Sequence, residues 1–134
     1  MRTPGSAAVE LSGEADSYPR TLSGGMAQRV SIARGFVYPS SLLLMDEPFR
    51  ALDLALKYRV IAQFLRIWRQ DGRTTVFVTH SIDEALLAAS RTVLLGPRAE
   101  ILDDFRIGSV QEERRLSDAE TAAIRKRIFS VLGI

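Results

Sequence analysis

Leu42-Leu43-Leu44-Met45-Asp46-Glu47-Pro48 is the stretch that decides the fold. Four apolar residues run without alternation, preceded by Ser40-Ser41 and followed by two carboxylates and a proline. A short continuous run between turn formers predicts a strand buried on both faces, as in a parallel sheet. Ligands of open parallel sheets bind beyond the carboxyl ends of the strands, so Asp46 and Glu47 stand where chemistry is expected.

Working downstream, a helix is predicted over about 53–69, with Val60, Ile61, Phe64, Leu65 and Trp68 on one face and Gly72 placed to cap its C-terminus. Thr74-Thr75-Val76-Phe77-Val78-Thr79 is a β-branched strand that ends at His80. Ser81-Ile82-Asp83-Glu84 has capping-box spacing and opens a helix to about residue 89. Residues 92–95 and 100–102 flank Gly96-Pro97-Arg98 and pair as a hairpin. Ser117-Asp118-Ala119-Glu120 offers a second capping box, opening a helix with Ile124, Ile128, Val131 and Leu132 on one stripe. This alternation of strands and helices predicts an α/β fold, with parallel strands joined by crossover helices.

Upstream, Met26, Val30, Ala33 and Val37 recur at helical spacing and predict an apolar helix face. Ser23 serves as its N-cap, and Pro39 stops the helix near Tyr38. Gly24 and Gly25 let backbone approach a ligand closely, and a hydroxyl with free N–H groups at a helix N-terminus attracts anions.

Composition narrows the function. The 134 residues are 46% hydrophobic and 25% charged, an ordinary globular balance. With no cysteine and one histidine, a thiolate zinc site, a catalytic thiol and a histidine metal cluster are excluded. The 18 basic and 16 acidic residues are interspersed except at Arg125-Lys126-Arg127, which is expected to be a solvated helix face rather than a nucleic-acid surface. No apolar run is long enough to span a bilayer and no secretory h-region follows Met1. A carboxylate pair at a strand end suits Mg²⁺ and its waters, and a second carboxylate can orient or deprotonate an attacking water. A histidine at the neighbouring strand end can donate to a phosphate oxygen, which completes a phosphoryl-hydrolysis constellation.

The combination resembles a known family. Leu22-Ser23-Gly24-Gly25-Met26-Ala27-Gln28-Arg29-Val30 resembles the signature motif of ATP-binding cassette (ABC) ATPases, and the stretch through Asp46-Glu47-Pro48 resembles their Walker B segment. Ala51-Leu52-Asp53 is similar to the D-loop, and Val78-Thr79-His80-Ser81-Ile82-Asp83-Glu84-Ala85 to the switch histidine and its helix. The motifs stand in family order from about Ala7 onward. Tyr18-Pro19, Pro48-Phe49 and Ile82-Asp83-Glu84-Ala85 are similar to importer-type cassettes, and the terminal helix with Arg125-Lys126-Arg127-Ile128 to their nitrate, sulfonate and taurine branch.

The resemblance implies a P-loop NTPase-like partial domain with a C-terminal hairpin and terminal helix. It implies that Asp46 helps hold Mg²⁺ through water, that Glu47 is the general base, and that His80 contacts the γ-phosphate of ATP. Ser23, Gly24, Gly25, Gln28 and Asp53 become the nucleotide-side residues, acting across a head-to-tail dimer. The implied organisation is 1–38 as the end of a helical subdomain, 39–105 as the C-terminal part of the ATPase core, and 106–134 as an extension. Met26 replaces a common glutamine, and Arg50 replaces a small residue beside the D-loop, where a bulky cation is expected to disturb the dimer contact.

A P-loop needs G-x-x-x-x-G-K-[ST], and neither Lys57 nor Lys126 follows a glycine. The chain is therefore expected to be the C-terminal half of a cassette, truncated at its N-terminus and unable to hydrolyse ATP alone. The implied function is the ATPase component of an importer that couples hydrolysis to solute uptake, cytoplasmic and peripheral at the inner face of the membrane. A second cassette and a membrane permease are its implied partners, without nucleic acid. Three alternatives stay open: a non-catalytic module that pairs with a P-loop-containing partner, a fragment of a DNA-associated ABC-type ATPase, and a basic phosphate-binding protein.

Overall fold

The apolar run and the β-branched run pair with each other. In the computed structural model, which describes residues 24–109, 111 and 113–133, β1 (Leu42–Asp46) lies parallel to β2 (Thr74–Val78). The register sets Leu42 opposite Thr74 and Asp46 opposite Val78, so both strands end together. The chain divides into two compact units, one ending at His80 and one beginning at Ser81.

In the first unit, α1 (Gly24–Val37) precedes β1, and α2 (Leu54–Asp71) carries the chain from β1 to β2. Asp53 caps α2 by accepting from Leu56 N–H at 3.0 Å, and Gly72 ends it at φ 73°, where a residue with a Cβ is strained. The predicted face of α2 is buried at Val60, Ile61, Phe64 and Leu65. Phe49, fully buried, meets Phe64 edge-on at 5.8 Å between centroids and Phe77 of β2 at 6.1 Å.

One expectation fails here. The strands are not buried on both faces: Leu43 is buried, but Leu44 is 68% exposed and Val78 60%. One face of the pair packs on helices and the other meets solvent, which restores the alternation of a one-sided sheet. The apolar stripe of α1 points outward at Val30 and Val37, while Ile32 is buried. The inward side carries Ile32 and Phe36, which packs on Phe64 at 5.6 Å between centroids, together with two glycines where the chain comes close. A Cβ on Gly25 would sit 3.4 Å from the Ala51 carbonyl, and one on Gly35 would sit 2.8 Å from Leu43 Cδ1. Arg73, at the start of β2, holds the other end of α1. Its guanidinium donates to the carbonyls of Gly35 at 3.1 Å, Phe36 at 3.2 Å and Tyr38 at 3.0 Å, and pairs with Asp71.

In the second unit, Ser81 Oγ accepts from Glu84 N–H at 3.4 Å and opens α3 (Ile82–Ala88). The third strand does not extend a parallel sheet. β3 (Arg91–Leu95) pairs antiparallel with β4 (Ile101–Arg106), a longer hairpin than the sequence marks. The terminal helix α4 (Ala119–Leu132) begins after Asp118, and its expected capping box does not form. Asp118 instead accepts from Arg115 N–H at 2.6 Å, and Glu120 accepts from Gly108 and Ser109 N–H at 2.7 and 3.0 Å. The Ser109 hydroxyl first, and then those backbone bonds, hold the Glu120 carboxyl below its ordinary range. Leu86, Phe105, Ile107 and Ile128 form the core, with Ile124 packed on it, whereas Val131 and Leu132 are half exposed. Arg125 pairs with Asp83 and Arg127 with Asp103, so two of the three basic residues are acid-paired on a largely exposed helix face. No described helix is long and apolar enough to cross a membrane.

Candidate functional site

Parallel pairing in register brings the two strand ends to the same level. After Asp46 the chain turns sharply. Glu47 N–H still donates to the Val78 carbonyl at 2.9 Å, and Arg50 N–H returns to the Glu47 carbonyl at 3.2 Å. Glu47 takes φ 48°, a left-handed backbone unusual for a residue with a Cβ. This turn aims the carboxylate along the end of β2. Glu47 Oε1 lies 2.6 Å from His80 Nδ1 and accepts from His80 N–H at 3.1 Å. Thr79 Oγ1 lies 3.5 Å from Glu47 Oε2.

Burial alone would raise the Glu47 pKa, but the His80 hydrogen bonds and the charges of His80 and Arg50 outweigh it and hold the carboxyl below its ordinary value. Glu47 is therefore ionised across the physiological range. The His80 side chain is 71% exposed and that of Glu47 21%, so the pair opens to solvent at the strand ends. A ligand can reach it from that side.

The other expected residues fall as follows. Asp46 is exposed and lines a cleft of about 330 Å³ together with Gln28, Ile32 and Leu44. Among the described residues no group of three or more His, Cys, Asp or Glu could hold a metal ion. A single accessible carboxylate still fits Mg²⁺, which takes one or two protein oxygens and fills its shell with water and phosphate. Gln28, expected on the nucleotide side, turns inward and donates from Nε2 to the Glu47 carbonyl at 3.0 Å. Asp53 is engaged as the N-cap of α2. Gly24 has open space around its Cβ position and Gly25 is seated on the turn at Ala51-Leu52. Ser23 lies outside the described residues. Sequence reasoning missed two groups, Thr79 and the Gln28 amide, as partners of Glu47. Thr79 was legible from its place beside His80 at the strand end; the Gln28 contact spans 19 positions and leaves no local pattern.

The chain is similar to known proteins in sequence and fold. A family model described as ABC transporter matches residues 6–50. The aliphatic sulfonates import ATP-binding protein SsuB 3 of Nocardia farcinica is 44% identical over 126 residues, covering 94% of this chain and 50% of that protein. The nitrate import ATP-binding protein NrtC of Synechococcus elongatus is 45% identical over 115 residues, covering 84% of this chain and 18% of that one. Among solved structures, a dimeric ATP-binding cassette in a post-hydrolysis state bound to ADP and Pi superimposes with a TM-score of 0.68 at 30% identity, over 79% of this chain and 45% of that one. The chain spans about half the length, or less, of the relatives it matches. On these matches and on its fold, the chain is similar to the ATP-binding proteins of ABC transporters over the part of their length that it spans.

Proposed function

We propose that the chain contributes the Walker B carboxylates, the D-loop and the switch histidine to the ATP-binding cassette of an importer, which couples ATP hydrolysis to solute uptake. The observation that carries this reading is the 2.6 Å contact between Glu47 and His80 at the aligned ends of β1 and β2.

In this reading Glu47 orients the attacking water and accepts its proton. Its lowered pKa makes it a modest base that is always ionised. That suits a loose phosphoryl-transfer transition state, where positioning matters more than base strength. His80 fixes the Glu47 carboxylate through Nδ1, which leaves its other ring nitrogen for a γ-phosphate oxygen. Asp46 would hold Mg²⁺ through water, and the bound ion would supply neutralising charge to the phosphates. Gly24 and Gly25 present backbone N–H groups at the start of α1 to the nucleotide of a second cassette. The branch is that of sulfonate or nitrate uptake, as in the relatives, with a membrane permease as partner on the cytoplasmic side.

A second reading, a non-catalytic module that docks on a P-loop-containing partner, is favoured by the exposed apolar face of Leu42, Leu44, Val76 and Val78. One experiment separates the two. The chain is mixed with a separately expressed P-loop-containing half of the Nocardia farcinica relative, and Mg²⁺-dependent phosphate release is measured. The hydrolytic reading expects turnover from the mixture and none from either half; complex formation without turnover supports the docking module.

A further inference from the structure

Glu47 keeps its left-handed backbone in spite of its Cβ, and such a residue persists only where its surroundings over-determine it. Its anchors can be named one by one. Its N–H donates to Val78, and its carboxylate is held by His80. Its carbonyl receives Arg50 N–H from its own turn, and on the second lone pair Gln28 Nε2 from α1 at 3.0 Å. The other named anchors come from the turn itself or from the end of β2. Gln28 reaches in from a different element, the one that begins with Gly24-Gly25. Gly25 is itself seated against Ala51 and Leu52, so the first turns of α1 touch the Glu47 turn at two points.

We propose that Gln28 is a positioning residue: its side-chain amide locks the left-handed backbone of Glu47, aims the carboxylate at His80, and makes that geometry depend on where the glycine-led start of α1 sits. A shift of α1 by the length of one hydrogen bond releases the lock. The consequence for catalysis rests on the reading of Glu47 as the residue that orients water; the lock itself does not.

The experiment uses the isotope-labelled 134-residue chain and reads Glu47 directly by NMR. A positive φ brings Hα close to the residue's own amide proton and gives a strong intraresidue NOE. The unsubstituted chain shows it. In Gln28→Met, which keeps length and removes the donor, the strong NOE is lost and the Glu47 amide exchanges roughly fivefold to twentyfold faster, as a lost hydrogen bond permits. An unchanged NOE and exchange rate in Gln28→Met overturn the proposal. If Gln28→Met does not fold, the same change is made in Glu47→Gly, whose backbone adopts positive φ without strain. Recovery of a folded spectrum supports the lock, and continued unfolding overturns it. Loss of the NOE with full turnover in the mixed-half assay would keep the positioning role and refute the catalytic reading of Glu47. A retained NOE with turnover lost would overturn the positioning role and leave the catalytic reading of Glu47 standing.

Discussion

Replacing Arg114 with leucine is expected to loosen the second unit severely. Arg114 is 5% exposed. Its Nη1 donates to the Leu86 carbonyl at 2.6 Å and the Ala89 carbonyl at 2.7 Å, its Nη2 to the Ser109 carbonyl at 2.7 Å, and its Nε to Ser109 Oγ at 3.1 Å. Leu86 and Ala89 lie at the C-terminus of α3, where the last carbonyls lack helical partners and the dipole favours a cation. Burial pushes the guanidinium pKa down while the Glu120 charge opposes this. Leucine removes every donor. A buried acceptor left alone costs about 1–3 kcal/mol. The Leu86 carbonyl is buried in its bond, whereas water can reach those of Ala89 and Ser109, which suggests a gross loss of about 3–5 kcal/mol. Burying the leucine returns about 1–2 kcal/mol. The net loss of about 1–4 kcal/mol is a large part of a domain's usual 5–15 kcal/mol. Urea unfolding followed by circular dichroism measures it, and hydrogen exchange should localise the loss to 82–89 and 101–109. Arg115→Leu, at an exposed neighbour, is the control and should stay within about 0.5 kcal/mol. An Arg114→Leu variant as stable as that control would refute the reasoning.

Three further outcomes follow from the geometry. Arg73→Met removes three carbonyl partners at the end of α1, so about 1–3 kcal/mol of stability is lost and the amides near Tyr38 exchange faster, as hydrogen exchange would read. Glu47 has a lowered folded pKa, so its contribution to stability is present above the ordinary glutamate value and disappears as pH falls through the lower folded one. Urea midpoints between about pH 6 and pH 2.5 should therefore fall more steeply in the unsubstituted chain than in Glu47→Gln, and parallel curves would contradict this. The bare sheet face predicts concentration-dependent association of the chain alone, reduced by Leu44→Lys; a monomer at high concentration in light scattering would count against it.

What the sequence made legible is what local chemistry dictates. Asp53 and Gly72 bracket α2 because a side-chain cap and a left-handed stop are properties of single residues. Val60, Ile61, Phe64 and Leu65 share a face by spacing alone. Glu47 and His80 could be placed together because strands that end in chemistry and run parallel must end side by side. The buried side of α1 was hidden because close backbone approach selects Gly25 and Gly35, and a count of apolar positions passes over glycine. Arg73 and Arg114 were hidden for a different reason. Their carbonyl partners lie as far as 38 and 28 positions away, and nothing about a surface-type residue announces a buried task. The failed cap at Ser117-Asp118 shows local rules losing to tertiary demand, since Glu120 is claimed by the backbone at 108–109.

The central claim is that Glu47, held by His80, acts on the attacking water rather than on nucleotide binding. Steady-state kinetics of the mixed-half assay test it most directly. Glu47→Gln should lower kcat by about 10²–10⁴-fold and leave KM for ATP nearly unchanged, the pattern of an interaction made only in the transition state. A raised KM with kcat intact, or no change in either, would contradict the account.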